Sequence, residues 1–412
     1  MRYFFVRASS AIAILLTAMS GALAQSGAET DQIFQGIEPI VHARTYYWNS
    51  RSTNGDPSEA WALGGWAGFK IRGFDEMLEL GVVGYTSQKL YGPSDKDGSQ
   101  LLRPGQEPIN VLGQAFGSLR YAGQTFTGYR QTIDQPWVDP DDSKMIPNLF
   151  EGYLLSGKAA GVDYIGGYVT KVKTRGSNAF QWMSSAAGSS GPQRGMIMFG
   201  ARVPFAERTE IRIAEQYLPD TYNTAYVDGE LPIANGAAGA LRLGGQYANQ
   251  QSVGSAGLGT FDTWMYGLSG IFEIGSSSVR FAFTQTGRGS ETQDPFGANP
   301  SYLNMMQINF NDAGEKAWLI GGSFDFATLG IPGLSAVVEY GTGRAAIDPT
   351  TRAQLGSRNE TDVRVGYGFD KASKLNGLSF GIERSWLNQA GAPAQGRELR
   401  VYANYDVSFD PP

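Results

Sequence analysis

Apolar and polar residues alternate with a period of two from about residue 40 to the C-terminus, and this restricts what the chain can fold into more than any other feature. In LRVYANYDVSF (399–409), Leu399, Val401, Ala403, Tyr405, Val407 and Phe409 share one face. Arg400, Tyr402, Asn404, Asp406 and Ser408 share the other. TDVRVGYGF sets Val363, Val365, Tyr367 and Phe369 against Asp362, Arg364 and Gly366, and SVRFAFTQ sets Val279, Phe281 and Phe283 against Arg280 and Thr284. No stretch reads as a long amphipathic helix. The pattern gives 18 candidate strands, centred near residues 45, 65, 82, 116, 128, 152, 167, 198, 212, 224, 243, 266, 282, 321, 338, 363, 382 and 403. Short connections (72–76, 121–124, 204–207, 275–278, 329–333) alternate with long ones (88–109, 174–192, 288–315, 344–357, 389–396). The exception is the ninth and tenth strands, separated only by Pro219 and Asp220. Such alternation predicts an all-β, up-and-down antiparallel transmembrane β-barrel with short turns in the periplasm and loops outside. An even strand number leaves no open edge and puts both termini on the periplasmic side. A barrel this wide holds an aqueous channel rather than a packed core.

The remaining composition fits that reading. Arg2 and Arg7, the apolar run AIAILLTAMSG and Ala22-Leu23-Ala24 make residues 1–24 a cleaved signal peptide, leaving 25–412 as a single barrel domain. The expected location is the outer membrane of a Gram-negative bacterium, with outer-membrane lipid and lipopolysaccharide as neighbours. The mean hydropathy of −0.25 is compatible with a barrel, because only alternate strand residues face lipid. Without cysteine there are neither disulfides nor thiolate metal sites. His42 is the only histidine and no nucleophile motif accompanies it, so no catalytic residue, metal or cofactor is expected. No nucleic-acid partner is expected either.

Two sets of residues could carry function. Arg212, Arg242, Arg280, Arg364 and Arg400 lie on the polar phase of alternating strands, and Arg120 joins them as candidate lining. An arginine facing lipid at mid-membrane costs about 2–4 kcal/mol, which favours the lumen. There they either handle anions or pair with acids such as Glu210, Asp362 and Glu398. The second set lies in GYRQTIDQPWVDPDDSKMIPNLFEG (128–152), between two strands. It holds Asp134, Trp137, Asp139, Asp141, Asp142, Ser143 and Lys144. Its acids either oppose the arginines across a pore or, for Asp139 and Asp141, cap a turn at Pro140. Tyr129 and Tyr153 flank this stretch, and Trp48, Trp61, Trp66, Trp264, Trp318 and Trp386 are assigned to interfacial girdles.

Several blocks resemble the OprD family of outer-membrane porins, the carboxylate channels. Asp142-Ser143-Lys144-Met145-Ile146-Pro147 with Phe150-Glu151-Gly152 is similar to that family's Asp-Ser-Arg-Leu-Leu-Pro and Phe-x-Gly. DFATLGIPGL (325–334) resembles a family turn, Trp61-Ala62-Leu63-Gly64 an early element and Glu398-Leu399-Arg400 a closing one. The resemblance implies an 18-stranded barrel, monomeric or weakly trimeric, whose third extracellular loop folds into the lumen opposite a ladder of basic residues. By position that loop is 132–147. The chain departs from the pattern in SFGIERSW, whose inward phase carries Ser379, Gly381 and Glu383 while Arg384 falls outward. The expected function is passive, selective uptake of small polar solutes bearing carboxylates, such as amino acids or organic and aromatic acids. Alternatives are a channel for neutral solutes such as short sugars, and a non-conducting adhesin or anchor.

Overall fold

The structure, a computed structural model, describes residues 34–206, 209–236, 239–297, 299–407 and 409; the expected signal peptide and the final Asp410-Pro411-Pro412 lie outside the described residues. The chain runs as β1 (Phe34–Arg51), β2 (Pro57–Gly73), β3 (Leu78–Tyr91), β4 (Ile109–Tyr121), β5 (Gln124–Gln131), β6 (Leu149–Ala159) and β7 (Val162–Lys173). It continues through β8 (Gln181–Trp182), a helical turn α1 (Met183–Ala186), β9 (Met196–Ala206), β10 (Thr209–Leu218), β11 (Tyr222–Gly236), β12 (Gly239–Ser252) and β13 (Asp262–Ile274). The last elements are β14 (Ser277–Thr286), β15 (Lys316–Asp325), β16 (Leu334–Arg344), β17 (Arg358–Gly368), β18 (Leu378–Gln389) and β19 (Gly396–Asp406).

Every strand except the two-residue β8 belongs to one ring of 18, antiparallel throughout, closed by pairing of β1 with both β2 and β19. Closure is what lets a sheet survive in lipid, since no edge N–H or C=O is left for a solvent that cannot hydrogen-bond. All 18 strands expected from the alternation are present, and β8 is an addition beside β7. The tight connection at Pro219 is real: residues 219–221 join β10 to β11 at the end of the barrel where the long loops lie.

Local chemistry explains the turns at the other end. Ala122 and Gly123 (φ 49° and 77°) and Ala160 and Gly161 (φ 50° and 84°) are both left-handed pairs, the two-residue hairpin geometry whose twist matches that of the strands. The DFATLGIPGL segment is a capped 3₁₀ turn. The Asp325 carboxylate accepts the Ala327 N–H at 2.9 Å, and Gly330 (φ 82°) ends the turn. A Cβ on Gly333 (φ 86°) would meet the Gly368 carbonyl oxygen at 2.1 Å, so that position requires glycine.

The outer wall is apolar and exposed at Leu243, Phe281, Val338, Val365, Phe380 and Ile382. In the buried apolar clusters, loop residues such as Leu101, Met145, Phe296 and Phe310 pack with strand residues such as Tyr46, Phe150 and Leu319. Two expectations fail. β19 ends at Asp406, and Phe409, expected on the apolar face of that strand, is an exposed residue beyond it. The last ladder partner is His42 opposite Asp406, followed by one bond from Val407 N–H to the Val41 carbonyl. Trp48 and Trp66 are not girdle residues. In β1 the even positions point inward, and Trp66, opposite His42, does the same. Trp48 is buried, and Trp66 stacks on His42 with ring centroids 3.9 Å apart.

Candidate functional site

The six arginines named from the sequence all sit on the inner phase, and each has an acidic partner. Arg212 meets Asp228 at 2.6 Å, Arg242 meets Glu273 at 2.7 Å, and Arg120 meets Glu76 at 3.5 Å. Glu339 lies between Arg280 (3.1 Å) and Arg364 (2.8 Å), and Arg364 also reaches Asp362. Arg400 pairs with Glu398 at 2.5 Å and Glu383 at 3.3 Å. Of the acids anticipated as partners, Asp362 and Glu398 are engaged; Glu210 has no ion pair among the described residues.

The 132–148 loop makes its own set of pairs, with different arginines. Asp142 takes a two-pronged contact from Arg44 of β1 (2.7 and 2.9 Å), the geometry in which guanidinium and carboxylate interact most strongly. Asp141 pairs at 2.5 Å with Arg175 of the β7–β9 loop, and Arg175 also donates to the Ser143 hydroxyl at 2.7 Å. Asp139 accepts the Asp141 N–H at 2.8 Å, as a turn cap would. The Tyr46 hydroxyl donates to the Ser143 carbonyl. Lys144 is buried with its ammonium on the Trp48 ring, and burial pushes it well below the ordinary lysine range. At its other end the loop leans on β10 and β11. Gln216 donates to the Pro136 carbonyl, and Trp137, 2% exposed, packs edge-on against Tyr226. β10 is the ninth barrel strand counted from β1, so one stretch of loop touches nearly opposite arcs of the ring.

The sequence did not single out a second segment that does the same. The β14–β15 loop (287–315) exchanges hydrogen bonds with Gln250 of β12 through Gln293, and the Arg280 side chain donates to its Tyr302 carbonyl. Further along, the backbone N–H groups of Met306, Gln307 and Ile308 donate to Asp362 (3.0 Å) and to the two oxygens of Glu360 (2.7 and 3.1 Å). Ser385 donates to Glu360, and Arg400 donates to the Met306 carbonyl. The two loops also meet: Val138 bridges Phe296, and the Asp139 N–H donates to the Phe296 carbonyl at 3.2 Å.

Arg202 of β9 was also missed. It stands opposite both Asp163 of β7 and Arg212 of β10, and it has no carboxylate partner among the described residues. It lines two cavities with Arg212: one of about 280 Å³ with Asp134 and Pro136, the other of about 590 Å³ with Glu210, Asp228 and Tyr302. Its strand, MIMFGARVPFA, is apolar on both faces at its start, so alternation gave no inner phase to read. Tyr153 is exposed on the outer wall beside Phe126, and Tyr129, opposite Phe116 and Gly152, is exposed as well.

A family model described as outer membrane porin, OprD family, matches residues 34–409. Porin D of Pseudomonas aeruginosa is 23% identical over 447 aligned residues, covering 97% of this chain and 98% of Porin D. The porin-like protein GalP of Pseudomonas putida is 25% identical over 351, covering 80% of each. Among solved structures, P. aeruginosa OpdK with vanillate superposes with a TM-score of 0.83 at 21% identity, covering 92% of this chain and 100% of OpdK. OccK2 (OpdF) of the same species, in complex with glucuronate, gives 0.78 at 18%, again over 92% and 100%. With a closed 18-strand barrel and a match along nearly all of its described length, the chain belongs to the OprD family of outer-membrane porins, channels of the Gram-negative outer membrane rather than enzymes.

Proposed function

We propose that the protein is a passive, selective channel for small polar solutes, foremost those that carry a carboxylate together with other polar or cationic groups. The observation that carries this reading is the meeting of the 132–148 and 287–315 loops at Val138 and Phe296, while each is anchored to distant arcs of the wall. On this reading both loops fold into the lumen and narrow it. Asp134, Trp137, Asp139, Asp141, Asp142, Ser143 and Lys144 belong to the constriction, and the six arginines line the wall. Opposed charges in a narrow, low-dielectric passage orient a dipolar solute. Arg202 supplies a guanidinium free to receive a carboxylate, beside Asp134 in one cavity and Glu210 in the other. The channel works as a mature chain from residue 25, with both termini in the periplasm and the long loops outside.

A second reading, passage of neutral solutes such as short sugars, draws on the pairing of all six lining arginines, which leaves little net positive field. Liposome swelling with an amino acid, a monocarboxylate and a sugar of matched size separates the two. The carboxylate reading expects the amino acid and the acid to enter faster than the sugar, and Arg202→Gln to erase that lead without changing conductance. Equal rates for all three, unaffected by Arg202→Gln, favour the neutral-solute channel.

A further inference from the structure

Among the described residues, three arginines on adjacent strands of the outer wall lack the acidic partners that the six named inner ones have. Arg397 of β19 stands directly opposite Arg51 of β1 on one side and Trp386 of β18 on the other. Directly paired residues project to the same face, so the three share one side of the sheet. That side is the lipid side. Arg384 and Trp386 continue the phase of Phe380 and Ile382, both exposed apolar residues of the outer wall, and β18 has no bulge to reverse it. The Arg384 guanidinium lies over the Trp386 ring, 5.5 Å from its centre, so it leans along the strand toward the long-loop end and toward Arg397. Arg51 and Arg397 are exposed. Their recorded bonds are to the Gly55 carbonyl and the Gln395 amide, and none of the three pairs with a carboxylate among the described residues.

Three uncompensated guanidiniums thus converge on adjacent strands, next to a tryptophan of the kind that marks the membrane–water boundary. A cation on the lipid face is tolerated only near headgroup depth, and there its counter-charge has to come from the membrane. Guanidinium matches phosphate oxygens two at a time, which suits a phosphorylated headgroup better than a lone carboxylate.

We infer that Arg51, Arg384 and Arg397 form a binding site for the phosphates of the outer-leaflet glycolipid, lipopolysaccharide. This rests on the orientation proposed above, with the long loops outside. The site is a docking surface for membrane lipid, separate from the solute path.

The test is native mass spectrometry of the full purified porin titrated with bisphosphorylated lipid A, with dephosphorylated lipid A and with phosphatidylglycerol. At roughly fivefold in affinity per surface cation, the triple variant Arg51→Gln/Arg384→Gln/Arg397→Gln should bind the bisphosphorylated lipid about 100-fold more weakly. The wild type should bind the dephosphorylated lipid about as weakly as the variant binds the bisphosphorylated one. Lys371→Gln/Lys374→Gln, at the opposite end of the barrel, should leave binding unchanged. Heat-modifiable gel mobility and single-channel conductance of all variants should match the wild type, which keeps the result independent of the transport reading. Equal binding by wild type and triple variant overturns the site. So does an equal loss in the Lys371/Lys374 variant, or phosphatidylglycerol binding as tight as lipid A. Labelling of intact cells that finds the long loops in the periplasm would instead overturn the orientation.

Discussion

The two loops that meet at Val138 and Phe296 are tied down by opposite chemistry. The 132–148 loop brings its own carboxylates to arginines outside it: Asp142 to Arg44 of the wall, Asp141 to Arg175 of a neighbouring loop. The 287–315 loop brings main-chain N–H groups to carboxylates of the wall, Glu360 and Asp362, both 0% exposed. Successive amides pointing at one anion form a nest that any residue type can build, because it needs only backbone. One loop is therefore fixed by side chains that mutation can read individually. The other is fixed by acceptors lying up to about sixty residues away in sequence.

The sharpest way to break that comparison is to remove the wall acceptors. Glu360→Ala with Asp362→Ala strands three N–H groups, each costing about 1–3 kcal/mol if it stays buried and unpaired. The 287–315 loop should leave its seat, raising single-channel conductance and blunting discrimination between solutes. Glu360→Gln keeps an acceptor oxygen and should do much less. Wild-type conductance in the double alanine variant would mean that the apolar packing of Leu303, Met305 and Phe310 holds the loop unaided.

A smaller effect is expected in the other loop. Asp139, Asp141 and Asp142 changed together to Asn preserve volume but free Arg44 and Arg175 of their partners. Each lost charge-assisted bond is worth about 1.5–3 kcal/mol, too little to unfold a closed barrel. The measurable result should be a reversal potential shifted toward anions. That shift should shrink at 1 M salt, where the screening length is about 3 Å. A reversal potential equal to the wild type would place these acids away from the ion path.

The same contrast decides what could be read in the sequence. Strands were legible because lipid on one side and polar groups on the other impose a period of two; even the outward phase of Arg384 followed from Leu378, Phe380 and Ile382. The acidic loop announced itself by charge. The second loop did not, since amide nests leave no mark on residue type. Arg202 was hidden by a strand apolar on both faces, and Trp48 and Trp66 by the ability of indoles to serve either surface. The cross-strand partners of Arg212 and Arg400 follow from register, which sets Arg212 opposite Asp228 and Arg400 opposite Glu383 and is not encoded in any single strand.

The finest distinction between the two loops should appear on titration. In the 287–315 loop, burial raises the carboxyls of Glu291, Asp294 and Glu315, with Arg358 partly opposing it at Glu315. A carboxyl whose folded value exceeds its unfolded one binds more protons when folded. Its stabilising contribution is complete below the unfolded value, near 4, and is lost as pH rises through the folded value. The 132–148 loop runs the other way through Lys144, whose ammonium is pushed down by burial. The unfolded chain then binds the extra proton, so stability grows as pH rises from the folded value toward the unfolded one, near 10.4. Raising the pH from about 4 through the folded values should therefore loosen the second loop, seen as more current noise and slightly higher conductance. Glu291→Gln with Asp294→Asn should flatten that dependence, and Lys144→Met should leave it in place while removing the alkaline gain in thermal stability. A pH response abolished by Lys144→Met and untouched by the Glu291/Asp294 pair would reverse the assignment of the two loops.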